Sequence, residues 1–164
     1  MKLIDNFLDK DLIIFLEQIF VFKTPHIYGH YSADEGDPFL KPGEKQNNFY
    51  MRDLNLADAL IKFLILKLRN KFTFKKILRC YINVQFKGMD GHWHIDDGNK
   101  TIVIMITKTL KKGSGEFQIQ EKGKIKKIDF VQNRAICFEA NLGHRGMSPK
   151  ELNTPRITLV FKTE

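Results

Sequence analysis

The side chains best suited to chemistry crowd into Gly91-His92-Trp93-His94-Ile95-Asp96-Asp97-Gly98, where imidazoles and carboxylates alternate along a stretch that reads as extended. In a strand, residues two apart lie about 6.6 Å from one another and can converge on one ion, whereas residues four apart lie about 13 Å apart and cannot. One pair can therefore serve a metal: His92 with His94, or His94 with Asp96. A further imidazole comes late in the chain, in Asn141-Leu142-Gly143-His144-Arg145-Gly146. Beyond it, Arg156 and Thr158 share one face of a final strand, where a guanidinium and a hydroxyl can together grip a carboxylate.

These groups need a scaffold, and the rest of the sequence supplies one. Its 164 residues, 43% hydrophobic, suit a single domain over 1–164. A first helix is expected over about 10–22, with Asp9 as N-cap and Leu12, Phe15, Leu16, Ile19 and Phe20 on its buried face. Lys23 to Asn48 has no steady period and reads as a lid or binding loop, with Tyr28, His30, Tyr31 and Phe39 able to touch a substrate. A second helix is expected over about 56–69, capped by Asn55, with Leu56, Ala59, Leu60, Phe63 and Leu64 buried. From there the pattern turns to short strands, at about 77–87, 91–96, 101–108, 115–120, 124–129, 134–139, 143–147 and 155–163. The expected class is mainly β with N-terminal helices (α+β), an antiparallel sheet closed or sandwiched on itself with both helices packed on one face. Residues 1–76 would then be helical support and lid, and 77–164 the β core.

Composition narrows the class further. The net charge of +8 is concentrated in Lys67 to Lys76 with Arg69, in Lys108 to Lys112 and in Lys122 to Lys127, which read as solvated helix ends and turns or as a phosphate-attracting surface. Cys80 and Cys137 both lie in apolar runs and read as buried free thiols, which suits a reducing, cytoplasmic setting. Acidic residues break the apolar run near Leu12, so neither a signal peptide nor a membrane span is expected.

Were His92 and His94 the ligand pair, the stretch would look like a cupin, whose motif wants a glutamate where Gly98 stands; that option weakens. His94, Asp96 and His144 make two imidazoles and one carboxylate, the ligand set of non-haem Fe(II) oxygenases. The ordered series His94-x-Asp96, His144, Arg156-x-Thr158 resembles the 2-oxoglutarate- and Fe(II)-dependent oxygenases, over about 78–161. The opening Ile4-Asp5-Asn6-Phe7-Leu8 and the turn Lys112-Gly113-Ser114-Gly115-Glu116-Phe117 are similar to the prolyl 4-hydroxylase-like branch. The resemblance implies a double-stranded β-helix, or jelly roll, cupin-like in form. It implies Fe(II) on His94, Asp96 and His144, and 2-oxoglutarate paired with Arg156 and Thr158. It further implies dioxygen as the oxidant, with ascorbate as a candidate accessory, and hydroxylation of a C–H bond with release of succinate and CO2.

In the related nucleobase demethylases an Asn-x-Tyr-x-x-Gly run precedes the metal motif. Here it is Asn83-Val84-Gln85-Phe86-Lys87-Gly88, so Gln85 replaces the tyrosine, and Tyr81 on the same face is the other candidate for cosubstrate contact with Asn83. The branch implies a peptidyl side chain, a free amino acid or another small molecule as substrate, near His92, Arg145, Tyr28, His30 and Tyr31. Oxidative demethylation of nucleic acid is the alternative, favoured by Asn83, Gly88 and the basic charge but lacking an aromatic platform for a flipped base. A non-catalytic jelly-roll binding module is a third reading, though it needs no open metal face.

Overall fold

Alternation along one strand organises the molecule. In the last strand, Ile157, Leu159 and Phe161 point to one apolar cluster, while Val160 points to another on the opposite side. A strand apolar on both faces must lie between two layers. The structure is a computed structural model that describes residues 1–164. In chain order its elements are β1 (Lys2–Ile4), α1 (Lys10–Phe22), β2 (Ile27–His30), β3 (Phe49–Asp53), α2 (Ala59–Arg69), β4 (Ile77–Gln85), β5 (Lys100–Met105), β6 (Phe117–Glu121), β7 (Lys124–Ile128), β8 (Ala135–Glu139), β9 (His144–Gly146) and β10 (Arg156–Thr163). A seven-stranded sheet runs in the order β1-β8-β5-β10-β4-β3-β2, and a three-stranded sheet in the order β7-β6-β9. Every pairing is antiparallel.

The helices cover one face of the large sheet. Ile13, Leu16 and Phe20 of α1 and Ile61, Leu64 and Leu68 of α2 are buried against Cys80, Ile82, Ile102, Ile104, Leu159 and Phe161. Each such burial contributes about 1.5–3 kcal/mol. On the other face, Tyr81, Val103, Met105, Ile136 and Val160 meet Phe117, Ile119 and Phe138, and this second core includes residues of the small sheet. Cys80 and Cys137 are free and buried. No helix is long and apolar enough to cross a membrane.

Several expectations shift in register. The first helix has the expected bounds, and Asp9 holds the N-cap position, but its carboxylate pairs with Lys67 and caps no backbone N–H. Phe15 is half-exposed, and Ile13 takes its place in the core. The second helix begins at Ala59, not Leu56: Asp58 accepts from the Leu60 N–H at 2.8 Å, while Asn55 closes a local turn onto Ala57. Leu60, Ile61, Phe63, Leu64, Ile65 and Leu66 leave no single apolar stripe, so the pattern did not fix which face is inward. The core strands fall within a few residues of expectation, except 91–96, which forms no regular strand. Residues 1–76 also contribute β1, β2 and β3, which were not anticipated: they are short, and β2 carries an irregularity between Tyr28 and His30.

Asn133 ties the first helix to the sheet. It is buried at a φ of 64°, its side chain accepts from the Leu8 N–H at 2.8 Å and donates to the Leu8 carbonyl at 2.7 Å, and its own carbonyl accepts from Phe7. Asn133→Ala strands the two polar groups of Leu8, so a loss of about 2–4 kcal/mol is expected in urea unfolding, against an unchanged stability if the N-terminal segment docks independently.

Candidate metal centre and anion pocket

The metal motif is held by a loose ladder between segments 91–96 and 140–146. Gly91 N–H donates to the Gly146 carbonyl at 2.8 Å, His94 and His144 exchange backbone bonds at 3.1 and 2.9 Å, and Asp96 N–H reaches the Ala140 carbonyl at 2.9 Å. Only the His94–His144 bridge is regular. Both rings then turn back on their own backbone: His94 Nδ1 lies 3.0 Å from the His92 carbonyl, and His144 Nδ1 lies 2.9 Å from that of Leu142. A carbonyl can only accept, so each Nδ1 carries the proton, which leaves Nε2 as the ligating nitrogen.

One ligand atom each from His94, Asp96 and His144 lie within 4.8 Å of one another. Asp96 Oδ2 is 3.2 Å from His144 Nε2, and Oδ1 is 4.0 Å from His94 Nε2. Burial, with the adjacent His144, pushes the His94 pKa down to about 4 and keeps that imidazole neutral. Burial alone would raise the Asp96 carboxyl, but its neighbours His144, His94 and Lys162 outweigh it and hold its pKa below the ordinary carboxylate value. A neutral His94 imidazole and an ionised Asp96 carboxylate are protonation states that bind a divalent metal. The donor set, nitrogen and hard oxygen, suits Fe(II).

A floor of cross-strand pairs extends from this centre. In β10 and β4, Arg156 faces Gln85, Thr158 faces Asn83, Val160 faces Tyr81 and Lys162 faces Arg79. Each of these residues lines a single cavity of about 190 Å³, together with the three candidate ligands. Arg156 is 2% exposed; its Nε donates to the Gly115 carbonyl at 2.9 Å, one terminal nitrogen donates to Gln85 Oε1 at 2.7 Å, and its guanidinium lies over the Phe130 ring. None of these partners is an acid. Burial pushes its pKa down to about 10, so it stays cationic at neutral pH. A buried charge without a counter-ion is costly, and its guanidinium still has donors to spare for an anion. A Cβ on Gly146 would stand 2.9 Å from that guanidinium, so a side chain there would push Arg156 from its position. The Gly113-to-Glu116 turn thus supplies a carbonyl that fixes Arg156.

Gln85 does not have a free amide to offer a cosubstrate. Its Nε2 donates to the carbonyls of Met89 and Gly146, and its Oε1 accepts from Arg156. Tyr81 is buried beside Asp96, and burial raises its pKa well above the ordinary phenol value. Asn83 Oδ1 is a buried polar atom without a partner, facing the same cavity; a half-turn of the amide presents Nδ2 instead.

Of the residues expected near substrate, His30 and Tyr31 line the cavity. The others lie elsewhere. Arg145 points away from His144, stacks 4.7 Å over Trp93 and donates to Gln118. Trp93 is half-buried in that stack. His92 Nε2 lies 3.1 Å from the Phe39 carbonyl, and Tyr28 is exposed against Tyr50. Two neighbours of Asp96 escaped the sequence reading: Thr101, whose hydroxyl donates to Oδ2 at 2.6 Å, and Lys162, whose Nζ lies 3.1 Å from Oδ1. They meet Asp96 only through the pairing of β5 with β10, which no local motif reveals.

No protein-family model and no curated protein matches the chain. Solved structures do. A Trichoplax adhaerens prolyl hydroxylase, in complex with a peptide fragment of the hypoxia inducible factor oxygen degradation domain, superposes with a TM-score of 0.69 at 13% identity, covering 99% of this chain and 82% of that one. A Pseudomonas putida prolyl-4-hydroxylase gives a TM-score of 0.69 at 12% identity, with 99% and 92% covered. A Burkholderia pseudomallei oxidoreductase of the 2OG-Fe(II) oxygenase family gives 0.61 at 18% identity, with 96% and 80% covered. The chain therefore has the fold of the 2-oxoglutarate- and Fe(II)-dependent oxygenases, as the prolyl hydroxylases carry it.

Proposed function

We propose that the protein is an Fe(II)- and 2-oxoglutarate-dependent dioxygenase on a double-stranded β-helix, hydroxylating a C–H bond of a peptidyl side chain or an amino acid. The observation that carries this reading is Arg156: a cation buried among neutral partners, in the same cavity as a His-Asp-His cluster. That combination is built for a small acid that reaches from a metal to a guanidinium. His94, Asp96 and His144 would hold the iron, and Arg156 the distal carboxylate, with Thr158 and Asn83 alongside. When bound, iron and 2-oxoglutarate supply oxidative C–H hydroxylation by dioxygen, with succinate and CO2 released.

The chain's own residues orient and enclose. Gln85 and the Gly115 carbonyl fix the guanidinium plane, so little side-chain freedom is lost when a carboxylate arrives. Phe49, Met51, Val103, Phe117 and Val160 add apolar surface to a cavity lined mainly by polar side chains. Substrate approaches past His30, Tyr31, Ser32, Asp34 and Arg79 on its rim. None of the three lysine clusters lines this cavity, and Lys124, Lys126 and Lys127 are exposed on the edge strand β7, where lysine discourages strand pairing. The rim favours a peptide or amino acid over a nucleic acid.

Succinate should form from 2-oxoglutarate only with Fe(II) present, and His94→Ala should abolish that turnover; turnover that survives chelation of the metal would sink the proposal. In Arg156→Met the 2-oxoglutarate KM should rise about 30-fold or more, because truncating one partner of a buried charge pair costs at least about 2 kcal/mol, while metal binding is retained. Stimulation of succinate release by a proline-bearing peptide pool, and not by methylated oligonucleotides, is the expected substrate result; the reverse pattern would replace hydroxylation by demethylation.

A further inference from the structure

The two oxygens of Asp96 are held differently. Oδ2 accepts from Thr101 Oγ1 at 2.6 Å and lies 3.2 Å from His144 Nε2, whereas Oδ1 lies 3.1 Å from Lys162 Nζ. Lys162 projects from β10 into the cavity with a side chain only 12% exposed. Its strand neighbours do not compete for Asp96: Arg79 is engaged by Asp53 at 2.7 Å, and Thr101 points to the other oxygen. The remaining acid near the ammonium is Asp97, 3.7 Å away and open to solvent. An ammonium this enclosed requires a partner, and Asp96 is the buried one.

The division matters for coordination chemistry. A carboxylate can ligate through one oxygen or chelate through both. Two imidazoles and a one-oxygen carboxylate leave three positions open on an octahedral ion. A chelating carboxylate leaves two, too few for a 2-oxo acid bound through two oxygens together with dioxygen. Building on the oxygenase reading, we propose that Lys162 is a positioning residue that reserves Asp96 Oδ1, keeps Asp96 a one-oxygen ligand and so preserves a coordination position for the cosubstrate. The same ammonium repels a metal ion, so Lys162 weakens metal binding while strengthening that of the 2-oxo acid. A residue that merely supported the fold would move both affinities in one direction.

The test titrates Mn(II), and then 2-oxoglutarate into the Mn(II)-loaded protein, by calorimetry and electron paramagnetic resonance, in the wild type, K162M and K162R. A charge at this range changes a carboxylate's affinity for a proton by roughly ten- to a thousand-fold, so Mn(II) should bind K162M at least about tenfold tighter. 2-Oxoglutarate should bind Mn(II)-loaded K162M markedly more weakly, and Mn(II) should raise the Tm of K162M by more than that of the wild type. K162R keeps the cation and should return both affinities toward the wild-type values; K162Q replaces K162M if the latter lacks a cooperative melt. Unchanged affinities in the neutral variant, a joint fall in both, or K162R behaving as K162M would overturn the assignment. A wild type that binds no Mn(II) would overturn the oxygenase reading itself.

Discussion

A guanidinium buried without an acid is the constraint around which this cavity is built. Arg156 is satisfied by a carbonyl, an amide oxygen and an aromatic face. Those contacts recruit three distant parts of the chain: the Gly115 turn, the end of β4 at Gln85 and the glycine at the end of β9. Each is restricted in consequence. A side chain at Gly146 would displace the guanidinium, and Gln85 has its amide nitrogen committed to two backbone carbonyls. Free energy that ordinary burial would contribute to stability is withheld here, because the charge remains uncompensated until an anion arrives. Strained or unsatisfied groups of this kind collect at functional sites.

The strand that bears Arg156 also sets the length scale of the site. Arg156, Thr158, Val160 and Lys162 face the cavity at successive steps of about 6.6 Å. Arg156 at one end and Lys162, beside Asp96, at the other are thus separated along one central strand, which is bonded on both sides by β4 and β5. Such placement is more exact than loops would give. It also shows why the fold persists among proteins only 12–18% identical to this chain. The apolar alternation that builds the layers can be met by many side chains, while the chemistry requires few fixed positions.

Those few positions were legible in the sequence, because their type and spacing mean something only in combination. His94, Asp96, His144, Arg156 and Thr158 come together in the structure as their order suggests. Parity along a strand also made one error avoidable: Arg145 directly follows His144, so it has to face the other way. The inward face of α2 was not legible, since its apolar residues surround the helix. Nor were Thr101 and Lys162, which reach Asp96 through tertiary register. Gln85 was read as a substitute for a tyrosine that touches cosubstrate; in the structure its amide is engaged by Arg156 and by the Met89 and Gly146 carbonyls.

Charge balance within the cavity joins these elements. Leaving the histidines aside, Arg79, Arg156 and Lys162 contribute three positive charges and Asp34 and Asp96 two negative, a net of +1. A divalent metal alone raises this to +3 in a partly enclosed space, where like charges repel more strongly than in bulk water. A 2-oxo dicarboxylate alone leaves it at −1, and the two together restore +1. Each ligand therefore removes the electrostatic penalty the other incurs, and this coupling acts equally in both directions. Lys162 is part of that balance: as a neutral residue it would lower the total at every stage, ease entry of the metal and remove part of the attraction that draws the dianion in. The lysine beside Asp96 thus biases the cavity toward the pair of ligands over the metal by itself.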